Sequence, residues 1–483
     1  MLRKWIRAWI FLLSVTIGMH AADNTVTVLI HMIPEQEAFF RNEVIPEFAR
    51  RYRTKVEVIS VRALDQLPVE LNNRKGAVSL VKVPFDQMWP LVADGLIRPL
   101  NSFLTVEEIE EYEKDYALTW FAKKEGVYYY VPRKYETRIM VYRKSKVADA
   151  LRNFKKFVKP LQGRLKELNG YGLPRGYALE NNPDKWDYYD IFVLGWIWAH
   201  TPYDSVAMPR IVHRGKRYSG TTQRLIDRVF QLNGTQNSFF NMVDHPVIDT
   251  YFWEALYAYC KIYNPRMWEN AYDGKKIWQA FADNTAFLSF MTQIDCFFLH
   301  GSRKHNIEGY LQDTEDMGIA TMPQGCSFEL YSDGACRRKG RKSITTGGWW
   351  WGIADGAHQP RLAYELARFI TSKKVQVDEC VRFGMIPVRQ DVINKHSVLF
   401  PDSWISPIFY TSYMQLKQNG NNVVPYSKNY DKIAKCYLDA WFDIVVNKQW
   451  NLRGRPPSRT FIHSHLSQHY MPRIYKLIDK PPQ

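Results

Sequence analysis

Carboxylates, amides and flat rings gather at the ends of apolar runs in this sequence, a pattern suited to polyhydroxylated ligands. The segment Gly347-Gly348-Trp349-Trp350-Trp351 sets three indoles behind two glycines. Glycine allows close backbone approach or an unusual φ, so a ring that follows it can project from a strand end. In a strand, Trp349 and Trp351 share one face and Trp350 takes the other. Asp86 follows the apolar run 77–83, Glu136 and Arg138 follow an aromatic run beginning at 127, and Gln293 and Asp295 follow the run 286–292. Carboxylates and amides accept hydroxyl hydrogen bonds, while an indole covers a patch of C–H groups. Tyr130, Tyr128 and Trp89 are further candidate rings, and Arg389 a candidate cation. Each has a plainer role: Asp86 and Asp295 can cap helices, Glu136, Arg138 and Arg389 can form ion pairs, and the rings can fill a core.

The elements that must position these residues are legible from periodicity. TVTVLI (25–30), TKVEVISV (54–61) and AVSLVKV (77–83) read as strands, with helical patterns over 34–52 and 63–72 between them. Strand-helix-strand order predicts a parallel sheet flanked by helices. Residues 127–143 read as extended strands, and 145–315 as mostly helical, with helices over 187–200, 221–232, 247–263 and 275–283. A strand at 286 running into a helix, a strand over 317–323, the tryptophan strand, and helices over 359–372 and 375–383 complete the pattern.

The first residues, MLRKWIRAWIFLLSVTIGMHAAD, place Arg3, Lys4 and Arg7 before the apolar stretch Ala8–Gly18 and the small residues Ala21 and Ala22. This order predicts an export leader, with cleavage after Ala22 or retention as an anchor as the alternatives. The formal charge of +16 falls to +13 without the leader's three cations. These charges are scattered, and the runs at 214–217 and 337–342 are short, so a solvated basic surface is expected and nucleic acid is not. Six cysteines, Cys260, Cys296, Cys326, Cys336, Cys380 and Cys436, lack zinc spacing. Export permits disulfides, and Cys326 and Cys336, flanking the turn Ser332-Asp333-Gly334, are the candidate pair. No G-x-S-x-G, H-E-x-x-H, Walker loop or G-x-G-x-x-G occurs, so neither catalytic residues nor a cofactor or metal is expected. Paired carboxylates of a glycoside hydrolase have no fixed spacing and stay open as an alternative.

Four segments together resemble the extracellular solute-binding proteins of ABC importers, of the carbohydrate type within the type-2 periplasmic binding family. They are VSLVKVPFDQMWPLVADGLIRPLNSFL (78–104), GVYYYVPRKYETRIMVYRKSKVADA (126–150), GIATMP with GGWWWGIA (318–323 and 347–354), and AYELARFITSKKVQVDECVRFGMIPVRQDV (363–392). The resemblance implies an α/β protein of two lobes, each a mostly parallel sheet flanked by helices, with several interlobe crossovers. Its implied division is 1–22 as signal peptide, 23–132 with 324–386 as the N-terminal lobe, and 133–323 with 387–483 as the C-terminal lobe. It further implies a monomer that captures a sugar or oligosaccharide by cleft closure and hands it to ABC permease transmembrane subunits. A surface binding protein without a transport role is another alternative. Ligand contacts are expected from Asp86, Trp349, Trp351, Glu136, Asp295, Gln293 and Tyr130, with Trp349 as the foremost cleft ring.

Overall fold

The computed structural model describes residues 25–201, 208–301, 308–345, 347–400, 404–418, 427–448 and 454–478. The expected leader, residues 1–22, lies outside them. Eleven strands occur among the described residues: β1 (Thr25–Ile30), β2 (Lys55–Ser60), β3 (Leu80–Pro84), β4 (Lys123–Lys124), β5 (Val127–Tyr128), β6 (Tyr130–Glu136), β7 (Arg138–Arg143), β8 (Arg210–Val212), β9 (Ala286–Thr292), β10 (Met317–Ala320) and β11 (Gly347–Ile353). They build a sheet in the order β2-β1-β3-β11-β6, a second in the order β10-β7-β9-β8, and a small β4-β5 ribbon.

Both large sheets are mixed, where mostly parallel ones were expected. β1 pairs in parallel with β2 and β3, because helices carry the chain back between them. β11 instead enters from the other lobe and runs antiparallel to both β3 and β6. In the second sheet only β8 and β9 are parallel.

Helices cover these sheets and bury their apolar faces. Over 34–52 the helix contains a π-helical turn, Phe40–Val44, which sets Phe40 over Trp351 with ring centroids 5.9 Å apart. In the second lobe the helices Ser219–Gln231, His245–Tyr259 and Tyr430–Trp441 bring charges inward. Glu254 there accepts from Arg224 (2.7 and 2.8 Å), Tyr263 (2.8 Å) and Trp441 (2.8 Å), and Arg228 lies at 2.9 Å. Burial alone would raise the Glu254 pKa, but the two guanidinium groups hold it far below the usual range. Among the described residues, no helix is long and apolar enough to cross a membrane.

The passages between lobes fall later than the expected boundaries at 132 and 324. β6 stays in the first sheet to Glu136, and the chain changes sheet at Thr137. After β10, residues 324–345 remain bound to the second lobe. Gln324 N donates to Trp186 O (2.9 Å), Arg341 N to Gln231 O (2.9 Å), and the Gln231 amide to Ser343 O (3.0 Å). The basic segment stays because its cations find acids there: Arg338 reaches Asp249 at 2.5 Å. The chain rejoins the first sheet at Gly347. It still touches that lobe at Ile386, bridged to Tyr135, and at Arg389, bridged to Tyr116.

Candidate functional site

The lobes meet beyond the ends of β3, β6 and β11. β3 runs out at Pro84, and Phe85 then meets Tyr430 of the second lobe edge-on at 6.3 Å. Asp86 follows, and its Oδ1 is buried without a hydrogen-bond partner. The helix Met88–Ala93 has no side-chain cap bond, so capping does not account for this carboxylate. Burial pushes the Asp86 carboxyl up to about 6, and the nearby Asp431 and Glu136 carboxylates act in the same direction.

Trp349 lies across the sheet from Pro84. Gly348 precedes it with φ +138°, and a Cβ there would stand 2.5 Å from the Lys134 carbonyl oxygen, so glycine is required. A register shift between Trp349 and Trp350 against β6 re-aims the strand at this point. The half-buried Trp349 ring has the Lys82 ammonium 3.6 Å and the Lys134 ammonium 5.8 Å from its centroid. The His31 imidazole stacks on it at 6.4 Å. Glu136, at the end of β6, pairs with Lys134 at 2.5 Å. Burial would raise the Glu136 pKa, but Lys134, Lys82 and Arg214 outweigh it and hold the carboxyl below its ordinary value.

Asp86, Glu136 and Trp349 therefore come together, and the other expected contacts do not join them. Trp351 shares the Trp349 face but sits two residues deeper, 0% exposed beneath Phe40, and so packs the core. Tyr130 is also fully buried and donates to Met88 O at 2.6 Å. Asp295 is spent on its own helix and neighbours. It accepts from Thr292 N (2.9 Å), Thr292 Oγ1 (2.7 Å), Trp278 Nε1 (2.9 Å) and Arg214 (2.9 Å). Gln293 braces the first interlobe passage: its Oε1 accepts from Thr137 N at 3.2 Å and its Nε2 donates to Tyr135 O at 3.4 Å. Arg138 makes a buried two-pronged pair with Asp227 and donates to Thr345 O (2.9 Å), joining the first passage to the second. Arg389 pairs with Asp391 at 2.8 Å. Trp89 is buried, and the buried Tyr128 donates to Glu113. Cys326 and Cys336, the expected disulfide pair, lie side by side. Both are free thiols within hydrogen-bonding reach of each other.

Residues 43–404, well over half of the chain, match the family described as bacterial extracellular solute-binding protein. The chain belongs to this family. A search of curated proteins finds no match. Solved structures of similar fold include maltose-bound MalE3 of T. maritima, 14% identical with a TM-score of 0.61 over 94% of this chain and 100% of that one. Another is an ABC transporter solute-binding protein from Thermotoga lettingae bound with α-D-tagatose, at 15%, 0.63, and 93% and 99% coverage. A third is the GacH receptor of Streptomyces glaucescens, described unliganded and with acarbose, at 13%, 0.62, and 94% and 99%. At these identities the likeness establishes the two-lobed fold of this solute-binding protein.

Sequence reasoning missed Lys82, Lys134, His31 and Asp431. For Lys82 a signal existed: a lysine inside the otherwise apolar run AVSLVKV has to meet a partner or a ligand. Asp431 had none, since only packing of the C-terminal helix brings it near Asp86.

Proposed function

We propose that this solute-binding protein captures a carbohydrate between its lobes, outside the cytoplasm, and presents it to the transmembrane subunits of an ABC importer. The observation that carries this reading is the half-buried Trp349 ring at the lobe junction, near a buried carboxylate oxygen of Asp86 that has no partner. A buried acceptor left open is costly, and a ligand hydroxyl would satisfy it. The structures of similar fold with maltose, acarbose or α-D-tagatose support the same ligand class. The basic, apolar and small-residue order of the first 22 residues supports export, with the mature chain starting near Asp23 and acting as a monomer. The test is calorimetric titration across mono- and oligosaccharides, with Trp349→Ala beside the wild type. Saccharide binding that the variant weakens supports the reading, and no saccharide binding refutes it.

A glycoside hydrolase is the second reading. Its favouring observation is the divergence of two carboxyls at one cleft, Asp86 pushed up to about 6 and Glu136 held low. Oligosaccharide recovered intact after long incubation with the protein excludes turnover, while released reducing ends establish it.

A further inference from the structure

Lys82 stands without an acidic partner among the described residues. It springs from β3 opposite Trp351 and is 2% exposed. Its Nζ donates to His31 O at 2.6 Å and lies 3.6 Å from the Trp349 ring centroid. The neighbouring cations are already matched: Arg133 pairs with Glu379 at 2.5 Å, and Lys134 with Glu136 at 2.5 Å. Among the described residues, no carboxylate lies within ion-pair distance of Lys82. A carbonyl oxygen and an indole face compensate poorly for removing an ammonium from water. The cluster thus holds one cation more than its two ion pairs use, against the ring at the lobe junction.

We propose that Lys82 determines specificity by pairing with a single anionic substituent of the ligand, so that the captured molecule is an acidic saccharide, a uronic acid or an oligosaccharide of one. This rests on the carbohydrate reading above. Trp349 would cover the C–H face of the acidic ring, as Asp86 and the Lys134–Glu136 pair take its hydroxyls. One lysine supplies a single point charge without the fork of an arginine, and one carboxylate is enough to neutralise it. Protons report the same event. Burial lowers the Lys82 pKa well below its ordinary value and Arg133 and Lys134 lower it further, with partial relief from Glu136 and Glu379. A carboxylate placed on Nζ opposes this lowering, so binding raises the Lys82 pKa and takes up protons over the pH interval that the shift spans.

The experiment is calorimetric titration of the full chain with glucuronate, galacturonate and their oligosaccharides, against glucose, galactose and maltose, with glucose 6-phosphate as the dianion. Titrations are repeated across a pH series in buffers of different ionisation enthalpy, and with Lys82→Met. The acidic saccharides should bind at least about tenfold tighter than their neutral counterparts, with net proton uptake in part of the pH series. Lys82→Met should lose that factor, about 1.4 kcal/mol, for acidic ligands only. Neutral saccharides binding as tightly as the uronates would overturn this inference and leave the carbohydrate reading standing. Tighter binding of the phosphate would overturn the uronate assignment, and binding of no saccharide at all would overturn both. If Lys82→Met does not fold, the wild type decides: uronate binding with no proton uptake at any pH of the series overturns the inference.

Discussion

Replacing Asp86 with asparagine should stabilise the protein above pH about 6 while weakening its capture of ligand. The folded state raises this carboxyl from 3.8 to about 6 by burial, with Asp431 and Glu136 adding repulsion. The native state therefore holds a proton that the unfolded chain has released, over the interval between those two values. Stability falls as pH rises through that interval, because the unfolded state binds fewer protons there. The full cost is present above pH about 6 and absent below about 4, and at ~1.36 kcal/mol per unit it is on the order of 3 kcal/mol. Asparagine keeps the shape and removes the ionisation. Urea unfolding of wild type and Asp86→Asn across this range should show a stability difference of up to about 3 kcal/mol in favour of the variant above pH 6, shrinking towards acid. Calorimetry on the same proteins should show affinity lost by roughly 10- to 150-fold, the worth of a charged hydrogen bond. A variant less stable than wild type at every pH, with unaltered affinity, would show that Asp86 is structural and refute the reasoning.

Trp349→Ala should lower saccharide affinity about 5- to 150-fold with little change in Tm, whereas Trp351→Ala, under Phe40, should cost about 3–5 kcal/mol of stability. Paired melting and titration curves separate the two, and equal destabilisation would place both rings in the core. Glu254→Gln should cost on the order of 3–5 kcal/mol in denaturant unfolding, because Arg224 and Arg228 are left buried without their anion. In exported protein the Cys336 thiol, which a hydrogen bond from Cys326 holds below its ordinary pKa, should close a disulfide with Cys326 when a disulfide-bearing oxidant of that compartment takes up the two electrons and two protons released, adding about 2–3 kcal/mol. Non-reducing peptide mapping checks this, and free thiols at both positions in protein never exposed to reductant would refute it. N-terminal sequencing of the exported protein should begin near Asp23, and an intact Met1 on a soluble product would refute cleavage.

Local pattern was enough to read the order of strands and helices in the first lobe. β-branched alternation at 25–30 and 54–61 and the helical stripe over 34–52 all appear as read, since short-range periodicity follows from which face each residue buries. The Gly-Gly-Trp turn was legible for the same reason: Gly348 holds a backbone conformation that a side chain would obstruct. Strand direction was not, because β11 arrives from the other lobe and its antiparallel pairing depends on where the chain crosses. Nor does residue type tell a carboxylate that caps its own helix, as Asp295 does, from one left open, as Asp86 is. That difference lies in neighbours distant in the chain. Trp349 and Trp351 make the same point: they share a face, and only their depth in the packed sheet, with Phe40 lying over Trp351, decides which ring is sealed in the core and which remains at the lobe junction. What the sequence determined by itself was the set of elements and the chemical repertoire at their ends. The tertiary structure decided which members of that repertoire meet, because burial and charge pairing depend on contacts across hundreds of residues rather than on local spacing.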